Sequence, residues 1–356
     1  VPKKHAVIEG WTGPGKCDTH IQSFKLTEDG LHIDGNKRGM YEWWYFDAHL
    51  DNGCTLVVFF YAANPNPGAG GKAGVEIVYL NTDGKRTQKF FPYNRSIFSA
   101  SREKPEVTIG GNTLRFTQHE DGLPVYQILI DEKNFRCQLT YAALVNGWKP
   151  GTGLSQFGEL GYFGWVVPFA RAQVSGMITL SGKDIPVSGI GYHDHNWLNF
   201  PFQSIIDYWM WGRIYSERFT VTYAYIQCNK KVDNHIVKVL MLADGREIVL
   251  STGEFEFLMD DFEYNPAVKY HFPNKIAIRA SRTLQAVLNK HKVLEAQDML
   301  VNFNPAVRFI ARHVLHLRPG YFRLLSNFSL EVTEDGNVAR ESGTTLHEIV
   351  LFKPVN

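Results

Sequence analysis

Ala172-Gln-Val-Ser-Gly-Met-Ile-Thr-Leu180, followed by Ser181-Gly182, mixes β-branched and apolar side chains with polar ones and ends in a pair of turn-forming residues. That pattern predicts a strand and a tight reversal, because alternating polarity suits a half-buried pleat and Ser-Gly tolerates the backbone of a turn. The same texture extends upstream through Cys54 to Tyr61, Val75 to Leu80, Tyr126 to Ile130 and Cys137 to Ala142. Turn chemistry separates these runs at Asp51-Asn-Gly53, Asp83-Gly84, Gly110-Gly111 and Asp121-Gly122. Downstream it resumes at Phe219 to Ile226, Ile236 to Leu242, Ile276 to Arg279, Leu284 to Leu288, Tyr321 to Leu325 and His347 to Phe352. Strands at this spacing imply sandwiches or barrels, so the expected fold is all-β. One short helix is expected near the C-terminus. Asn304 would cap it, Pro305 opens its first turn, Val307, Ile310, Ala311, Val314 and Leu315 share a face, and Pro319-Gly320 stops it.

The next run, Gly189-Ile-Gly-Tyr-His-Asp-His-Asn-Trp197, is far more polar than an ordinary core segment. Each buried polar group there needs a partner or costs about 1–3 kcal/mol. On a strand, His193 and His195 would share one face and Asp194 would take the other. Three readings fit these residues. Two histidines bind a metal if a third ligand comes from elsewhere. A structural corner would bond the imidazoles and Asn196 to backbone while Tyr192 and Trp197 fill the core. An acid–base site would use histidine near neutral pH. Cys17, Cys54, Cys137 and Cys228 stand singly, with no HExxH and no CxxC, so no metal is expected.

Composition narrows the function classes. Lys plus Arg number 37 against 36 Asp plus Glu, which leaves no electrostatic footprint for nucleic acid. The 24 Phe, 16 Tyr and 8 Trp include Trp43-Trp44-Tyr45-Phe46 and Tyr208-Trp209-Met210-Trp211, which fill a core or wall a pocket for a large apolar ligand. No apolar run approaches a membrane span, and no stable membrane insertion is expected. The chain opens at Val1 as a mature protein does after loss of a targeting segment, and a secretory or secreted location is expected. Asn94-Arg-Ser96 and Asn327-Phe-Ser329 are glycosylation sequons, and at most one disulfide is expected. Residues 62–74 read as a glycine-rich loop, either a lid or a long hairpin connection. A boundary falls after the polar run, giving β-rich domains at 1–198 and 199–356.

Glu42-Trp-Trp-Tyr-Phe-Asp47, Gly191-Tyr-His-Asp-His-Asn-Trp197 and Gly320-Tyr-Phe-Arg323 with Leu330-Glu-Val332 resemble, in order and spacing, the landmarks of the carotenoid hydratase and AttH-like family. That family includes kievitone hydratase and fungal Diels-Alderases. The resemblance implies two lipocalin-like β-sandwich or barrel domains, an apolar cavity at their junction and no cofactor. It also implies either water addition to an isoprenoid double bond or a stereocontrolled cycloaddition. The histidine and tryptophan implicated in the hydratases match His195 and Trp197. Their tyrosine and following aspartate match Tyr223 and Tyr225, so a phenol replaces the acid. A phenol near pKa ~10 protonates an alkene far less readily than a carboxylic acid near ~4.

The leading expectation is therefore a cofactor-independent pericyclase of terpenoid or polyketide biosynthesis, with or without a coupled dehydration. A hydro-lyase acting on an isoprenoid double bond is the alternative, and a carrier of an apolar metabolite the third reading. The expected catalytic residues are His193, Asp194, His195, Asn196, Tyr223 and Tyr225. Trp43, Trp44, Tyr45, Trp197, Trp209 and Trp211 are expected to line the substrate site.

Overall fold

A computed structural model of the chain describes residues 6–33, 39–65, 71–118, 122–300, 305–309, 312 and 318–355; among these described residues strand dominates and no helix reaches seven residues. The expected all-β, lipocalin-like architecture is present as curled antiparallel sheets, one barrel-like and one half-barrel. The chain divides into two compact units, one holding residues 21–201 with 245–248, the other residues 1–20, 202–244 and 249–356.

In the first unit the sheet runs Arg86–Tyr93, Ala73–Leu80, Thr55–Ala63, Tyr41–Leu50, Lys183–Leu198, Tyr162–Leu180, Phe135–Ala143 and Pro124–Glu132, then on to shorter strands. The middle strands are buried on both faces, which is why Tyr41–Leu50 and Thr55–Ala63 carry apolar or aromatic residues in consecutive runs, with Glu42 and Asp47 as buried polar exceptions. Pro124–Glu132 instead alternates buried and exposed, and its sequence alternates accordingly. The hairpin joining Tyr162–Leu180 to Lys183–Leu198 turns through Ser181 and Gly182, with φ of 52° and 79°, the left-handed pair that matches strand twist in a two-residue turn. Phe46, Phe60, Tyr126, Tyr141 and Phe169 form the heart of the core, each contributing about 1.5–3 kcal/mol by burial.

The polar run is not a corner: residues 189–197 continue the Lys183–Leu198 strand between two neighbours. Residues 62–74 are not all loop, since one strand extends through Ala63 and the next begins at Ala73. At Gly74 close packing requires a glycine. A Cβ on Gly74 would meet the Phe90 ring and the Phe91 carbonyl at 2.6 Å.

The second unit has its own sheet, ordered Ile236–Asp244, Phe219–Cys228, Ile206–Tyr215, Asn337–Leu351, Gly320–Glu334, Leu284–Asp298, Tyr270–Ala280 and Glu256–Asn265. Tyr208, Met210, Tyr223, Tyr225, Phe272, Phe322 and Leu324 pack its interior. The N-terminal segment is pinned to this unit through buried Glu9, which accepts from Trp11 Nε1 (3.0 Å) and Lys16 Nζ (2.6 Å) and pairs with His235 Nε2 (2.8 Å). An α-helix spans Pro305–Phe309; Asn304, Ile310, Ala311, Val314 and Leu315 lie outside the described residues. All four cysteines are free thiols. Both sequon asparagines are exposed, Asn94 ahead of a 3-10 turn and Asn327 within the Gly320–Glu334 strand.

Candidate active site

The Lys183–Leu198 strand pairs with Tyr41–Leu50 in a register that sets His193 opposite Phe46, Asp194 opposite Tyr45, His195 opposite Trp44 and Asn196 opposite Trp43. Directly opposed residues share a face, and successive residues alternate. The four consecutive residues expected to act together are therefore divided: His193 and His195 face the core, while Asp194 and Asn196 face the other way.

On the core side the imidazoles are completely buried and form an ionic network with Asp29 and Glu42. His193 Nε2 lies 3.0 Å from Asp29 Oδ2, and its Nδ1 lies 2.8 Å from the Tyr45 carbonyl, so both ring nitrogens face acceptors. His195 Nε2 is 2.9 Å from Glu42 Oε1. Its Nδ1 stands 3.1 Å from Asp29 Oδ1, close enough for an ion pair but off the line of a hydrogen bond. Tyr126 Oη donates to Asp29 Oδ2 at 2.6 Å, and the backbone N–H groups of His32 and Ile33 donate to Glu42 at 2.8 Å. Each ring is also stacked: His193 on Phe46 at 3.9 Å, His195 on Trp44 at 4.3 Å, and His32 on Trp197 at 3.6 Å. Burial alone would depress His195, but the close Asp29 and Glu42 carboxylates prevail and raise it to about 9. Burial likewise works against an ionised Asp29, and the two histidines overcome it, lowering the carboxyl to about 2.

The opposite face holds different chemistry. Asp194 Oδ2 accepts from Trp165 Nε1 (2.9 Å) and Tyr192 Oη (3.0 Å), and its Oδ1 accepts from Asn196 Nδ2 (2.8 Å). Burial dominates and raises this carboxyl to about 6, although those donors and the His193 charge work in the other direction. Beside it Tyr45 Oη donates to Asp47 Oδ2 at 2.8 Å. Trp43, Tyr45, Trp165, Asp194 and Asn196 each keep 7–8% of their surface exposed, whereas His193, His195, Asp29, Glu42 and Trp44 keep none. Trp197 on the histidine face also keeps 8%, and Tyr192 on the Asp194 face keeps none, so both faces are buried. A carboxyl near pKa 6 among aromatic rings exists in both protonation states close to neutrality, which suits a general acid or base.

The structure thus brings Trp43 and Tyr45 to Asp194, and Trp44 and Trp197 to the histidines. Tyr223, Tyr225, Trp209 and Trp211 belong to the other unit. There Tyr223 and Tyr225 point into the core, Tyr225 stacking on Phe257 at 4.9 Å. Tyr223 Oη is buried without a hydrogen-bond partner among the described residues, and burial raises its pKa. Half-buried Trp209 packs between Phe202 and Phe352, and half-buried Trp211 lies under the Arg213 guanidinium at 5.1 Å. Sequence reading passed over Asp29, Trp165 and Tyr126. Glu42 and Asp47 lay inside quoted motifs without an assigned role, and Tyr192 was read only as core filling.

The model of the Diels-Alderase-like family matches residues 139–280. The hydroxyneurosporene dehydrogenase of Chlorobaculum tepidum is 26% identical over 249 residues, which cover 58% of this chain and 62% of that protein, less than two thirds of its length. Among solved structures, an AttH protein from Nitrosomonas europaea aligns with a TM-score of 0.61 at 15% identity, covering 97% of this chain and 100% of that one. CghA with Sch210972 aligns at 0.62 and 13% identity, covering 91% and 94%. Kievitone hydratase from Nectria haematococca aligns at 0.57 and 17% identity, covering 97% and 98%. At these identities the structural likenesses establish the fold. Residues 139–280 are similar to the Diels-Alderase-like family, and the chain has the fold shared by AttH, CghA and kievitone hydratase.

Proposed function

We propose that this protein is an enzyme that transfers a proton to a large, apolar, unsaturated small molecule, with Asp194 as the general acid, and that its reaction is addition or removal of water at an isoprenoid-type double bond. The observation that carries this reading is the Asp194 carboxyl, held by Trp165, Tyr192 and Asn196, raised to about 6 and flanked by Trp43 and Tyr45. Such a group supplies the proton that a phenol at Tyr225 would not, and general acid catalysis is worth about 10²–10⁴-fold. The aromatic rings exclude water from the reacting carbons and offer π-faces to a developing carbocation. His193 and His195, enclosed between Asp29 and Glu42, act through the strand they anchor and do not meet the substrate. One similar protein is by name a hydratase, which supports this chemistry; another is by name a dehydrogenase of hydroxyneurosporene, which supports an isoprenoid substrate and not water addition.

The match to the Diels-Alderase-like model and the likeness to CghA favour a second reading, a cofactor-independent cycloaddition. There the same aromatic face would fold a polyene while the protonated Asp194 polarises a carbonyl, and positioning alone supplies roughly 7–11 kcal/mol in favourable cases. Incubation with neurosporene and with kievitone separates the two. A product heavier by one water supports the hydro-lyase, an isomeric cyclised product supports the cycloaddition, and unchanged probes under conditions where both bind contradict both.

A further inference from the structure

The register that places Asp194 opposite Tyr45 also places Asp47 opposite Tyr192. The result is a crossed pair of tyrosine–carboxyl units on one face. On the Lys183–Leu198 strand Tyr192 donates to Asp194, and on the Tyr41–Leu50 strand Tyr45 donates to Asp47, with the two phenol rings edge to face at 6.2 Å. Asp47 and Asp194 are diagonal neighbours across an antiparallel pair, a relation that spaces residues by about 7–8 Å. Carboxyl pairs that protonate on one side and activate a water on the other stand about 6.5–9.5 Å apart, leaving room for that water.

We infer that Asp47 is a second catalytic carboxylate, the base that takes a proton from the water attacking the double bond; this rests on the hydro-lyase reading of Asp194. In the hydration direction Asp194 gives its proton to one alkene carbon as the π-bond breaks. A water oxygen bonds to the other carbon and passes a proton to Asp47. The product carries one new C–H and one new C–O bond, and return of the proton from Asp47 to Asp194 resets the site with no further reactant. Dehydration is the same path reversed. The surroundings of Asp47 suit this division. Tyr192 and Asp194 face it from the Lys183–Leu198 strand, and apolar Val57 stands opposite on the Thr55–Ala63 strand. A similar unit at Tyr61 and Glu76 does not compete: Glu76 lies on Ala73–Leu80, with two strands between it and the strand of Asp194, and its other oxygen is taken by Gln88.

The test follows neurosporene in deuterium oxide with wild-type protein and the Asp194→Asn, Asp47→Asn and Tyr45→Phe variants, reading both water addition and deuterium entry at the vinylic carbon. Asp47→Asn should lose about 10²–10⁴-fold in water addition while deuterium exchange continues, because Asp194 still protonates and deprotonates the alkene. Asp194→Asn should lose both. Water addition at the wild-type rate in Asp47→Asn, or equal loss of exchange and hydration in a folded variant, overturns the inference. Where Asp47→Asn does not fold, Tyr45→Phe decides: it strips the donor from Asp47 and should slow hydration relative to exchange, and an unchanged ratio overturns the role. A silent Asp194→Asn would instead remove the hydro-lyase reading itself, whatever Asp47 does.

Discussion

Asp194 and His195 are adjacent in sequence and lie on opposite faces of one strand, the carboxyl on Trp165, Tyr192 and Asn196, the imidazole on Glu42 and Asp29. Both faces are buried, one holding an ionic clamp and the other a carboxyl set among aromatic rings. In the proposed function the first holds the site and the second reacts in it.

Asp194→Asn should abolish turnover while changing how stability depends on pH. The folded pKa of Asp194, about 6, lies above its ordinary 3.8, so the fold favours the neutral carboxyl. Its contribution to stability is present below the ordinary value and lost as pH rises through about 6. Between pH ~4 and ~7 the wild type should lose up to about 3 kcal/mol relative to the Asn variant, as urea denaturation at each pH would show. Parallel pH profiles for the two proteins would contradict this placement.

On the other face the expected outcome is reversed. Asp29→Asn leaves a buried imidazolium short of its partner and should cost about 3–5 kcal/mol of folding energy. His195, raised from 6.5 to about 9, stabilises fully below 6.5 and loses its contribution as pH rises through about 9. Asp29, lowered from 3.8 to about 2, contributes above 3.8 and loses that contribution as pH falls through about 2. Thermal melts across this range should narrow at both ends for the wild type and flatten at the alkaline end for His195→Gln.

The strand-rich fold was legible because alternation and turn chemistry are local signals, and Ser181-Gly182 fell where the hairpin turns. The division of His193 and His195 from Asp194 also followed from two-residue periodicity once a strand was assumed. Their partners were not legible: Asp29 is 164 residues from His193 and Glu42 is 153 from His195, and a pairing that distant leaves no trace in composition or spacing. Trp165 was hidden for the same reason, 29 residues from Asp194 on the neighbouring strand. Small residues misled at Ala62, Ala63, Ala73 and Gly74, which are buried in strands, and at Gly74 close packing against Phe90 excludes a larger side chain.

Gly164 lies flat against Trp197. A Cβ there would stand 2.0 Å from the indole Cε2, so Gly164→Ala should force the ring off His32 and cost about 1–3 kcal/mol or more by overpacking. A lowered melting temperature with altered tryptophan fluorescence is the expected result.

Tyr223→Phe and Tyr225→Phe test the phenols that stand where the hydratases carry a tyrosine and an aspartate. Tyr223 Oη has no hydrogen-bond partner among the described residues, so its removal should leave stability unchanged or raise it by up to about 1 kcal/mol. With Asp194 as proton donor, both variants should turn over near the wild-type rate. A large rate loss in Tyr225→Phe at unchanged melting temperature would instead put that phenol on the substrate.

Passage through a eukaryotic secretory route is proposed for this chain, and exposed Asn94 is its preferred glycan acceptor over Asn327, which stands between two paired strands. Glycosidase treatment of secreted protein should release mass from wild type and none from Asn94→Gln. Unchanged mass in the wild type would count against the route.

The central claim is that Asp194 delivers a proton to a carbon–carbon double bond to which water then adds. The direct measurement is product mass after incubating neurosporene in oxygen-18 water with wild type and Asp194→Asn. A labelled hydroxyl from the wild type and none from a folded Asp194→Asn is the predicted result. Equal incorporation by both proteins, or a wild-type product of unchanged mass but altered structure, would contradict it.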